Sequence, residues 1–180
     1  MRALVAVALL AMSASGQVYS PVAKERRPES LPDLPEGIRR DLVLRECVVP
    51  KYVGDVGTKD KAYTKGHFRS AASVDYAVVC HVAIRKVQDI LVYSNADGAW
   101  NGEIISRGTF DSSPHADKCE ATVGVATRKY ILDHARAYSP DELKSVPRLD
   151  HDGVEVGICE KASTVHYFSK GRWVFLQGAD

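Results

Sequence analysis

The sequence predicts an α+β fold: a single domain over residues 33–180, with an antiparallel sheet, one or two packed helices and a C-terminal β-hairpin. Three observations predict it. Leu34, Ile38 and Leu42 repeat at i, i+4 and mark an amphipathic helix. The stretch "DYAVVCHVAI" is apolar on both faces, as an interior strand is, and "VQDILVYS" follows it across a short polar turn, as in an antiparallel hairpin. The chain closes on "ASTVHYFS", Lys170-Gly171 and "RWVFLQG", a strand–turn–strand pattern.

Two segments precede that domain. Arg2 is followed by a ten-residue apolar run from Ala3 to Met12 and then by small residues, with Ala14 and Gly16 suited to positions −3 and −1 of a signal-peptidase site. Residues 1–16 therefore read as a signal peptide; the run falls short of the roughly 20 residues that span a bilayer. Residues 17–32, with Pro21, Pro28 and Pro32 among mixed charges, read as a flexible leader.

Asp33 stands where an N-cap belongs, Pro35 suits the first turn and Glu36 completes a capping box. Pro50 disfavours helical geometry just before it, so the helix stops near Cys47. Gly54 and Gly57 mark a loop. In "DYAVVCHVAI", Tyr76, Val78, Cys80, Val82 and Ile84 alternate with Ala77, Val79, His81 and Ala83. Both faces are apolar, as in an interior strand. Arg85-Lys86 turns the chain into "VQDILVYS", and the "NADGAWNG" cluster turns it into "GEIISRGTF". A loop through Pro114 and Cys119 follows. Tyr130, Ile131, His134 and Tyr138 then share a face of a second helix, and Pro140 and Pro147 bracket a linker to the closing hairpin. The simplest architecture is one sheet with helices on one face; the hairpin either joins the first strands or forms a small sheet of its own.

Removing Arg2 with the signal leaves 23 basic and 23 acidic residues in balance. No field of one sign remains to recruit nucleic acid or acidic lipid. Cys47, Cys80, Cys119 and Cys159 are widely spaced, without the short spacings of zinc or redox sites. An even count behind an export signal favours two disulfides. Three pairings are open; we favour Cys47–Cys80 and Cys119–Cys159, one in each half, each worth about 3–4 kcal/mol in the chain-entropy model.

The segment Asp150-His151-Asp152-Gly153-Val154-Glu155 is the first site candidate. As a turn, Asp152-Gly153 would place the glycine at positive φ while Asp150 accepts backbone N–H bonds. As a Ca2+ loop, Asp150, Asp152 and Glu155 would supply carboxylates, though the further ligands of an EF-hand are missing. As half of a hydrolase, His151, Asp152 and His166 would gather around a substrate. None of the local signatures of serine, zinc or nucleotide enzymes occurs. A binding role instead points to Trp100, Tyr167 and Trp173, as aromatics that anchor interfaces or fill a core.

Two resemblances add to this reading. "GHFRSAASVDYAVV", residues 66–79, resembles a degenerate FG-GAP repeat of integrin-type propellers: Gly66, Phe68, Asp75, Ala77 and Val78 match, and His67 and Ala71 stand where that repeat carries calcium-binding aspartates. It implies the loop-and-strand shape without the metal. "RECVVPKY", "GHFRSAASVDYAVVC", "ILVYSN" and above all "KASTVHYFSKGRWVFLQGAD" resemble a group of small exported bacterial proteins without an assigned activity. That resemblance implies a secreted single domain and no particular reaction. The sequence thus leads to a monomeric periplasmic or secreted protein, without a cofactor, that binds an extracytoplasmic protein or small ligand, with a metal-assisted or general-base hydrolase as the alternative.

Overall fold

The computed structural model describes residues 24–51, 62–109, 121–138, 140, 144, 146–158 and 162–178. The expected signal peptide, and Cys119 and Cys159 with their expected bridge, lie outside the described residues.

Strand β1 (Lys24–Arg26) pairs antiparallel with β2 (Val49–Lys51). Between them runs helix α1 (Glu36–Leu44). Four strands follow: β3 (Tyr63–Gly66), β4 (Asp75–Val82), β5 (Val87–Ala96) and β6 (Ala99–Thr109), forming one sheet in the order β3-β4-β5-β6. Strand β7 (Ala121–Ala126), helix α2 (Arg128–Tyr138) and strands β8 (Gly153–Ile158), β9 (Ala162–Ser169) and β10 (Arg172–Gln177) complete the chain. They give a second sheet in the order β10-β9-β8-β7. All pairings are antiparallel.

The layers follow from which faces are apolar. Leu34, Ile38 and Leu42 of α1 pack on Val78, Cys80, Val82, Leu91 and Tyr93 of the first sheet. The opposite face of that sheet, with Ala77, Val79, Ile90 and Val92, packs on Val123, Val154 and Val156 of the second. Ile131 of α2 packs with Val165 and Tyr167 on the far side of the second sheet. The order is therefore helix, sheet, sheet, helix. The single sheet with helices on one face is corrected: β4 is apolar on both faces because it has a helix on one side and a second sheet on the other. The closing hairpin belongs to that second sheet.

Other expectations change with the packing. The leader is not flexible through residue 32: β1 is paired, and Leu31 is buried against α1. Asp33 caps nothing; Pro35 is the N-cap, with no side-chain cap bond, and Asp33 Oδ2 instead accepts from the Tyr63 hydroxyl at 3.2 Å. The strand at 75 ends at Val82, where a 3-10 turn leaves Ile84 82% exposed. Strands β1, β2, β3, β7 and β8 add to those the sequence pattern marks. The Cys47–Cys80 disulfide is present, with both residues buried, and ties the segment after α1 to β4. Asp41 adds a polar tie, accepting from Tyr93 Oη at 2.8 Å and from Arg45 Nε at 2.6 Å; burial holds the Tyr93 hydroxyl well above its usual range.

Candidate functional site

The 150–155 segment is the lead-in to β8. Asp152 N–H donates to the His67 carbonyl at 2.9 Å, and His67 N–H donates to Asp152 Oδ2 at 3.2 Å. The partner loop is held in turn by buried Asp75, whose Oδ2 accepts from the backbone N–H groups of Phe68 (2.7 Å) and Arg69 (2.8 Å) and from the Ser73 hydroxyl (2.5 Å). Gly153 does not turn the chain. Among the described residues the glycines at positive φ are Gly98 and Gly171, while Gly153 is paired with Ala126 as the first residue of β8. A Cβ on Gly153 would lie 2.6 Å from Val165 Cγ1, so this glycine serves a close approach of β9. Asp150 likewise departs from the expected turn. Its own N–H donates to Tyr167 Oη at 2.9 Å, and its Oδ1 receives the Tyr167 hydroxyl at 3.1 Å.

The three carboxylates of the possible Ca2+ loop go to three different partners. Asp150 meets Tyr167, Asp152 meets His67, and Glu155 Oε1 accepts from the Tyr130 hydroxyl and from Ser163 at 2.9 Å. Among the described residues, no group of three or more His, Cys, Asp or Glu is placed to hold a metal.

The possible hydrolase residues do not all gather: Asp150, His151 and Asp152 line one shallow hollow, and His151 also lines the groove along β10, but His166 lines neither. His151 stacks on the Tyr167 ring, with centroids 4.3 Å apart and planes within 2°. Its Nδ1 lies 2.9 Å from the Asp152 carbonyl and its Nε2 3.0 Å from the Phe168 carbonyl. Both nitrogens thus face main-chain oxygens, to which a neutral imidazole can donate from only one of them. His166 points to the other face of β9, opposite Val154 of β8 and Phe175 of β10, and packs edge-on against the Phe175 ring. It is buried, its Nδ1 has no hydrogen-bond partner, and desolvation lowers its pKa to about 4. Burial lowers His81 as well.

The three expected binding aromatics turn inward. Trp100 packs beside the α1 core, edge-on to Tyr76 at 5.4 Å, close over Gly37, where a Cβ would lie 2.9 Å from Trp100 Cδ1. Tyr167 is 1% exposed. Trp173 is half-buried: its indole N–H donates to Glu103 Oε2 of β6 at 3.0 Å, tying the two sheets together. Arg69 pairs with the same carboxylate and lies over the rings of Phe168 and Trp173. These polar tips are satisfied within the protein, as buried aromatics require.

What the structure does bring together is a groove of about 1040 Å³ along β10. Val174, Leu176, Ile131 and Ala135 form its apolar wall between the hairpin and α2. Arg148, Lys170 and Arg172 line it as well, and all three are exposed. Among the described residues, no carboxylate pairs with any of the three. Asp150 is the acid at the rim, 61% exposed at its side chain. Phe175 stands on the opposite face of β10 from Val174 and is 68% exposed. Sequence reasoning passed over Arg148, Lys170, Arg172 and Phe175. The Lys170-Gly171 turn was legible, but nothing local says that β10 lies at a sheet edge. The chain matches no protein-family profile, no curated protein and no solved structure.

Proposed function

We propose that the chain is an exported, monomeric, non-catalytic binding module that presents the β9–β10 hairpin and its flanking groove to an extracytoplasmic partner. The carrying observation is the groove itself: an apolar wall, an exposed Phe175 and three cations that no carboxylate among the described residues pairs with, on a chain whose overall charge is close to zero. Exposed apolar surface rimmed by polar groups is typical of recognition sites. The Cys47–Cys80 bridge suits an oxidising compartment. No helix of the described residues is long and apolar enough to cross a membrane. Both His151 nitrogens face main-chain carbonyls, which have no proton to give, and this favours recognition over turnover, since a general base needs a nitrogen within reach of the proton it removes.

The test is a panel of chromogenic ester, phosphate, glycoside and peptide substrates with the purified exported chain. No turnover above background is expected. Turnover that co-purifies with the protein and is lost in His151→Ala and Asp152→Ala would restore the hydrolase reading.

A further inference from the structure

We infer that the open edge of β10 accepts an acidic, extended polypeptide segment as an added strand. This rests on reading the chain as a binding module and names how it binds and what it selects.

The backbone supplies the first half. Lys170 (φ 51°) and Gly171 (φ 80°) form a two-residue hairpin turn with both residues at positive φ, as a type I′ turn requires. Ser169 and Arg172, which close that turn, are then a hydrogen-bonded pair. Alternation makes Tyr167–Val174 the next bonded pair and leaves Trp173–Phe168 and Phe175–His166 as non-bonded pairs. The N–H and C=O groups of Trp173 and Phe175 therefore point away from β9. Among the described residues, β10 pairs with no strand on that side. A row of outward backbone groups is a template for strand addition, and the flanking pockets read alternate side chains of the incoming segment. Here one set would lie over Val174 and Leu176 toward α2, and the other beside Phe175.

The charges supply the second half. Arg148, Lys170 and Arg172 line the groove along β10, where Asp150 is the one acid among the described residues. Arg69 does not count toward a ligand, because Glu103 already holds it. Cations along an edge strand also deter self-pairing. An acidic strand, by contrast, would neutralise them. The charge that disfavours a dimer thus favours an acidic partner.

The probe is an N-acetylated peptide of about eight residues alternating Glu and Val, long enough for one strand, with a Lys/Val counterpart as control and a heparin oligosaccharide as a polyanion that cannot form a ladder. It is titrated into the ¹⁵N-labelled exported chain at low salt. The Glu/Val peptide is expected to bind and to slow amide exchange of Trp173 and Phe175 by about tenfold or more. The Lys/Val peptide is expected not to bind. K170E/R172E should weaken binding by about tenfold or more, since rim charges act strongly at low ionic strength. Phe175→Pro removes an outward N–H without touching a β9–β10 bond and should abolish binding; K170E/R172E keeps the test decisive if the proline variant fails to fold. Binding without protection of those two amides, equal binding of the Lys/Val peptide, full competition by heparin, concentration-dependent dimerisation through β10, or no peptide binding to about 1 mM would each overturn the inference. If the peptide fails while a partner still crosslinks at position 175, only the strand-addition mode falls; if both fail, the binding-module reading falls with it.

Discussion

Asp152 and His67 hold each other at two points, main chain to main chain and main chain to carboxylate. The pair docks the start of β8 onto the loop before β4, joining the two sheets where the sequence suggests a turn, with a metal loop as the alternative. An acceptor oxygen is what this contact needs. Asp152→Asn should change stability by less than about 0.5 kcal/mol, and Asp152→Ala should cost about 1 kcal/mol, the worth of an ordinary hydrogen bond. Urea unfolding measures both. Melting curves with calcium or a chelator should superimpose; a calcium-dependent rise in the parent that is missing in Asp152→Asn would contradict this role.

Gly153→Ala is expected to destabilise by about 1–3 kcal/mol, through overpacking against Val165 rather than through backbone strain. The cause is checked by a double-mutant cycle. Val165→Ala removes the obstructing Cγ1, so the cost of Gly153→Ala should shrink in that background. An undiminished cost would point back to backbone conformation.

The elements that were legible and those that were not differ in a physical way. Leu34, Ile38 and Leu42 declared α1, and short apolar runs between polar turns declared β4, β5 and the closing hairpin, because each pattern reports faces buried by the element's own residues. Strands β7 and β8 were hidden by Gly124 and Gly157, interior glycines that lower strand propensity and read as loop. Their reason lies across the ladder. A Cβ on Gly157 would lie 2.8 Å from Thr122 Oγ1 of β7, a neighbour that no local window contains. The candidate site failed for the same reason. Asp150, His151 and Asp152 look like one cluster in sequence, yet their side chains go to Tyr167, two main-chain carbonyls and His67. Whether β10 sits at an edge or in the interior depends on sheet order, which periodicity does not encode.

The Cys47–Cys80 bridge closes a separation of 33 residues between buried positions. Its loss in a Cys47→Ala/Cys80→Ala variant should cost about 3–4 kcal/mol. Guanidinium unfolding measures this; a change under about 1 kcal/mol would mean that α1 and β4 hold together without the bridge.

His166 makes stability depend on pH. Its pKa is about 4 in the fold against an ordinary 6.5. Below pH 6.5 the unfolded chain takes up a proton that the folded chain refuses, so stability falls with pH through that window and levels off near pH 4. The full loss is on the order of 3 kcal/mol, to which His81, also lowered by burial, adds in the same direction. Unfolding free energies from pH 7 to pH 4 should show a shallower fall in His166→Phe, which removes the titrating ring. An unchanged slope would mean that His166 protonates within the fold.

The most direct test of the β10 surface is site-specific photocrosslinking in the producing cells. A photoreactive residue is placed by Phe175→benzoylphenylalanine at the edge, and by Leu44→benzoylphenylalanine at the end of α1, where the side chain is 82% exposed in the opposite outer layer. A discrete adduct with an acidic polypeptide is expected from position 175, absent from position 44 and lost when K170E/R172E is added. No adduct at 175, or equal adducts at both positions, would contradict the assignment of β10 as the surface through which this protein works.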